Sequence, residues 1–149
     1  MKGTFHGITS ILLIFTSLVI GLYQISVYSS SYALIYGFSL LIGSYIIIQV
    51  YCTKCPCKEY KCAHFFPGFI ARFLPAQKPG RYKPTEIFTV IAIIIFWLGF
   101  PQKWLYQNGD LAIIFWLLLI TGFYQIVRFV CPKCDNEFCP ANKKKHEAD

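Results

Sequence analysis

Four thiols and an imidazole crowd into thirteen residues of this chain: Cys52-Thr-Lys-Cys55-Pro-Cys57, then Cys62 and His64. A second group, Cys131-Pro-Lys-Cys134 and Cys139-Pro, holds the other three of the seven cysteines. Cys-x-x-Cys spacing lets two sulfurs reach one ion while the intervening backbone amides donate to the thiolates. Two such knuckles brought together form the four-cysteine arrangement of zinc ribbons. The first group alone contains a closed tetrahedral set, Cys52, Cys55, Cys62 and His64, with Cys57 over. The second needs a fourth ligand from elsewhere. Together, seven thiols and His64 are enough for two four-ligand sites. One partition places Cys52, Cys55, Cys131 and Cys134 on one ion and Cys57, Cys62, His64 and Cys139 on another. A second keeps each cluster local. Spacing leaves both open.

Zinc is the expected metal, because thiolate and imidazole suit it and it requires no redox partner. The alternative is an iron–sulfur cluster. Cys followed by Pro, at Cys55, Cys131 and Cys139, resembles the ends of ferredoxin ligand motifs, although the spacings match no ferredoxin pattern. Palmitoylation is the simpler account of thiols beside a membrane, but seven in paired spacing exceed it.

The elements that must carry these residues are membrane spans. Charged residues make up 14% of the chain and hydrophobic ones 56%, against roughly 25% charged in an ordinary soluble domain. No Asp, Glu, Lys or Arg lies between Lys2 and Lys54, and between Glu86 and Arg128 only Lys103 and Asp110 do. We expect an all-α membrane protein of one domain over 1–149. Its four transmembrane helices, at about 8–27, 33–50, 86–100 and 111–130, form two hairpins, each followed by a cytoplasmic cysteine-rich knuckle. The knuckles lie in the 51–85 loop and the 131–149 tail. The first apolar run has one positive charge before it and no small-x-small cleavage site after it, so it reads as a retained helix rather than a signal peptide.

Basic residues fix the expected orientation. Of 14 Lys and Arg, all but Lys103 fall at the amino terminus, in the 51–85 loop or at the carboxyl-terminal end. The positive-inside rule then puts both termini and both cysteine groups in the cytoplasm, most simply of the cell membrane. That compartment is reducing, so structural disulfides are not expected. Topology and anionic lipid account for the formal charge of +7; nucleic acid is not an expected partner.

Finer features follow along the chain. Tyr28 to Tyr32 reads as a compact turn, and Ser17/Gly21, Ala33/Gly37 and Ser39/Gly43 as small-residue pairs that let helices approach. Phe66, Phe69, Ile70 and Phe73 would share one face of a short interfacial helix from near Pro67 to Pro75, with Arg72 toward the headgroups. Residues 77–84 read as a polar tether, and 102–110 as an outer loop with Trp104 and Tyr106 as interfacial belt residues. Gln24, Gln49 and Gln125 are expected to make interhelical hydrogen bonds. Val50-Tyr-Cys-Thr-Lys-Cys and Phe129-Val-Cys-Pro-Lys-Cys read as a weak internal duplication, with Lys61-Cys-Ala-His64 placed like Phe138-Cys-Pro-Ala-Asn142. Both knuckles then end on one membrane face and can meet.

Catalytic groups are missing from the pattern. There is no phosphate-binding glycine loop, no serine hydrolase elbow, no intramembrane acid for proton relay, and no histidine on a span for haem. A transport path is unmarked, since no Cys, His, Asp or Glu lies at membrane depth, and no residue set for a methyltransferase cosubstrate appears. The expected function is therefore a structural or accessory subunit of a membrane complex, with protein partners and lipid around it. The alternative is a redox protein using an iron–sulfur cluster or a reactive dithiol.

Overall fold

The computed structural model describes residues 2–55, 65–75, 77–78, 80–133 and 136. Among these the regular structure is all helical. Helix α1 runs Lys2–Tyr28 and α2 Ser30–Ile47, the latter continuing through a π-helical turn, Ile48–Cys52. Short α3 is Phe65–Ala71, and α4 is Pro84–Gly99. The one-turn α5, Gln102–Leu105, precedes α6, Gly109–Gln125, which ends in a second π-helical turn, Ile126–Val130. Four stretches, Phe5–Tyr28, Ser30–Cys52, Pro84–Leu105 and Gly109–Val130, are long and apolar enough to cross a membrane. Large apolar side chains such as Leu12, Phe15, Leu41, Phe88 and Leu117 point outward along them, as a lipid-facing surface requires.

The spans come out longer than their apolar runs, because a helix can carry its polar ends into the headgroup region. The expected turn at Tyr28 to Tyr32 shrinks to one non-helical residue, Ser29, in extended conformation between α1 and α2. At α4, Pro84 occupies the first turn, where its missing N–H costs nothing, and the Glu86 carboxylate accepts from the Lys83 backbone. Asn108 caps α6 by accepting from the Leu111 N–H.

Packing follows the first expected hairpin, α1 against α2, and departs from the second. The most extensive contact joins α1 to α6, with α1 also against α2, and α2 against α4; α4 and α6 share little. The reason is visible at two glycines. A Cβ on Gly122 of α6 would meet Ile14 Cγ1 of α1 at 2.8 Å and the Ser10 carbonyl at 3.1 Å. On Gly43 of α2 it would meet Ile93 Cγ2 of α4 at 2.9 Å and the Trp97 ring closer still. Backbone-close crossings of this kind are what hold helices together in lipid, where apolar burial alone supplies little drive.

The end of the bundle away from the cysteines is also filled in. Trp104 and Leu105 of α5 are buried, and the Gln24 side chain donates to the Trp104 carbonyl at 3.4 Å. Trp104 is thus a core residue, packed near Ile25 and Tyr36, and not the belt residue its sequence position implied; Tyr106 does face outward.

Candidate functional site

The end of the bundle that carries the cysteines is built from five elements. The start of α1, the π turn after α2, α3, the approach to α4 and the π turn after α6 all meet there. His6 stacks on Phe129 with ring centroids 4.6 Å apart, and Thr9 donates to Gln125 Oε1 at 3.0 Å, which ties α1 to the end of the fourth span. Helix α3 packs against the π turn Ile48–Cys52 and α1. It turns Gly68 and Ala71 inward and leaves Phe69, Ile70 and Phe73 exposed, the apolar face expected of a helix lying in the interface.

Tyr82 joins the two cysteine segments. Its ring stacks on Tyr51, beside Cys52, at 4.5 Å between centroids, and its hydroxyl donates to the Tyr51 carbonyl at 3.3 Å. The same hydroxyl accepts from Nδ2 of Asn136 at 3.1 Å. Asn136 lies two residues past Cys134 and is only 4% exposed. Nothing in the sequence marked Tyr82, which stands in the stretch read as a polar tether. An aromatic flanked by Arg81 and Lys83 carried no periodic signal.

A second clasp lies alongside. Lys54, inside the first knuckle, pairs with Glu86 at the start of α4, and both side chains are largely shielded. Thr53 is fully buried, its hydroxyl donating to the Gln49 carbonyl at 2.6 Å. Of the three glutamines, Gln24 and Gln125 make bonds between helices, while Gln49 Oε1 is buried with no donor among the described residues. The backbone N–H of Cys55 donates to the Cys52 carbonyl at 3.2 Å, the tight turn that Cys-x-x-Cys spacing demands.

Cys52, Cys55 and Cys131 are each half-buried. Cys57, Cys62, His64, Cys134 and Cys139 lie outside the described residues, so five of the eight expected ligands have no geometry here. Among the described residues no three of His, Cys, Asp and Glu are gathered into a group that could hold a metal ion. Comparison with protein-family models, with curated proteins and with solved structures finds no match.

The Tyr82 hydroxyl gives a direct prediction. Tyr82→Phe keeps the stack on Tyr51 but removes both hydrogen bonds, one of them to a buried amide. Losing about 1 kcal/mol there corresponds to about a fivefold shift toward an opened segment. Alkylation of Cys131, followed by peptide mass spectrometry, is expected to quicken by about that factor while helical content stays constant. An unchanged rate would show that Tyr82 does not restrain the second segment.

Proposed function

We propose that this chain is a small multi-pass membrane protein whose cytoplasmic cysteine segments bind zinc, and that it serves as an accessory subunit of a membrane complex. One observation carries the reading: Tyr82 holds Tyr51 and Asn136 together. The two cysteine-bearing segments are thereby fastened at the same end of the bundle. Thiolate pairs of this spacing in a reducing compartment are metal ligands before they are disulfides. The metal's role is to lock short connecting segments that have little core of their own, as structural zinc does in small domains.

The accessory role rests on what surrounds the thiols. α3 offers an exposed aromatic face beside them, and the spans carry hydrogen-bonding groups spent on helix pairing: Tyr36 on Trp97, Trp97 on Ser39, Thr9 on Gln125. With both termini cytoplasmic by the distribution of basic residues, α3 and the described thiols Cys52, Cys55 and Cys131 lie at the end of the bundle that faces partners.

The test is elemental analysis and an absorption spectrum on detergent-purified protein handled without oxygen. Zinc bound in a colourless preparation is the expected result, and pull-down of partners then follows. Iron with sulfide and a broad band near about 400 nm would make it a redox protein. Protein that folds and elutes normally with no metal would overturn the reading.

A further inference from the structure

Tyr82 and its two neighbours look opposite ways. Residues 81–83 lie outside any helix, and Lys83 has φ −71° and ψ 148°. In such extended backbone, successive side chains take opposite sides. Tyr82 is accordingly half-buried against Tyr51 and Asn136, while Arg81 and Lys83 are both exposed. The clasp and the two cations are thus two sides of one short stretch. Seating the tyrosine fixes where the cations point.

Their depth is set from two directions. The residue after Lys83, Pro84, opens the third membrane-spanning stretch, and Tyr51, on which Tyr82 stacks, falls in the last turn of the second. Arg81 and Lys83 therefore stand where the bundle leaves the hydrocarbon, at the level of phospholipid headgroups. Charge at that level is one-sided. From Phe65 to Glu86 the sequence contains Arg72, Lys78, Arg81 and Lys83 against a single acid, Glu86, and Glu86 is paired with Lys54. Lys78 is exposed, as Arg81 and Lys83 are. Depth chooses the anion: an acidic protein would have to reach these side chains through the headgroups, whereas lipid phosphate is already there.

We infer that Arg81 and Lys83 bind the headgroup of an anionic phospholipid, with Lys78 adding to the field, and that the bound lipid holds the Tyr82 clasp shut. The inference goes beyond the zinc reading and does not depend on it. A ligand stabilises the conformation to which it binds better. With Tyr82 seated, both cations are kept on the membrane side; with Tyr82 released, residues 81–83 can turn and the pair loses that placement. A basic side chain kept near an anionic surface strengthens binding by about fivefold. Keeping one of the pair there only when the clasp is shut favours the shut form by that factor. The lipid composition of the surrounding leaflet thereby sets how often the segment at Tyr51 opens.

Full-length protein in nanodiscs of phosphatidylcholine alone, or of equal parts phosphatidylcholine and phosphatidylglycerol, tests this. The readout is amide hydrogen exchange over residues 48–55. They contain neither cation, but include Tyr51 and the N–H groups of Thr53 and Cys55, which donate to the Ile48 and Cys52 carbonyls. Phosphatidylglycerol is expected to slow that exchange by about fivefold in wild type. It is expected to leave exchange unchanged in a double variant, Arg81→Gln with Lys83→Gln, which alters only exposed side chains and spares the clasp. Native mass spectrometry of the same variant is expected to show fewer phosphatidylglycerol molecules retained. No slowing in wild type would overturn the inference, and so would equal slowing in wild type and variant, which would assign the effect to the general charge of that end. Slowing by soluble glycerol phosphate or by an acidic peptide in neutral nanodiscs would replace the lipid with a free anion or a protein, and would overturn it too.

Discussion

Gly122→Leu is expected to separate the first and fourth spans and to lower stability by about 3 kcal/mol, at the upper end of what overpacking costs. The position has no slack. Its added Cβ would approach Ile14 Cγ1 to 2.8 Å and the Ser10 backbone carbonyl to 3.1 Å, and the carbonyl cannot rotate away as a side chain can. Leucine would have to push α1 bodily outward, and α1–α6 is the largest helix contact in the molecule. Denaturation in mixed micelles, followed by helical signal, measures the loss. Gly99→Ala is the control, since nothing lies within 4 Å of a Cβ there and alanine favours helix by about 1 kcal/mol. Equal behaviour of the two variants would refute the close α1–α6 crossing.

Tyr36→Phe is expected to cost about 1–2 kcal/mol, more than removal of a hydroxyl at an exposed tyrosine. Tyr36 is fully buried, and its hydroxyl donates to the Trp97 carbonyl at 2.8 Å. The usual donor to that carbonyl, four residues on, would be the backbone N–H of residue 101, but position 101 is proline and has none. Tyr36 therefore supplies from α2 the donor that α4 cannot supply to itself. In an apolar surround a carbonyl without a donor carries its whole desolvation cost. The thermal midpoint in detergent is expected to fall for Tyr36→Phe and to hold for Tyr106→Phe, whose side chain is exposed. A fall of the same size in both would mean that the Trp97 carbonyl is satisfied another way.

Much of the fold was legible because lipid imposes a simple rule. Runs without charge, bounded by Lys54, Glu86 and Arg128, marked four spans, and the four apolar helices stand there. What could not be read was which spans touch. Neighbours in sequence are the natural guess, and α1 does lie against α2, yet its most extensive contact is with α6. The choice rests on Gly122 meeting Ile14, a fit of backbone to side chain that has no signature in hydropathy. The one-turn α5 was hidden for a related reason: Trp104 has the composition of a belt residue, and only the fold around it turns it inward. At the candidate site the thiol pattern was plain from Cys-x-x-Cys spacing, and the turn at Cys52–Cys55 agrees with it. Tyr82 was not, because a tyrosine in a polar connection shows its role only when its two partners, distant in sequence, arrive beside it.

The pairing of α1 with α6 bears on how the molecule is made. A chain emerging from the ribosome at about 5–20 residues per second folds its early parts first. Here the first span cannot complete its main contact until the fourth has been delivered to the membrane. Until then its polar edge, Ser10, Ser17 and Gln24, all buried in the finished bundle, is left facing lipid or a chaperone. Assembly is thus gated by synthesis of the fourth span, and the bundle shuts in a single late step that joins opposite ends of the sequence.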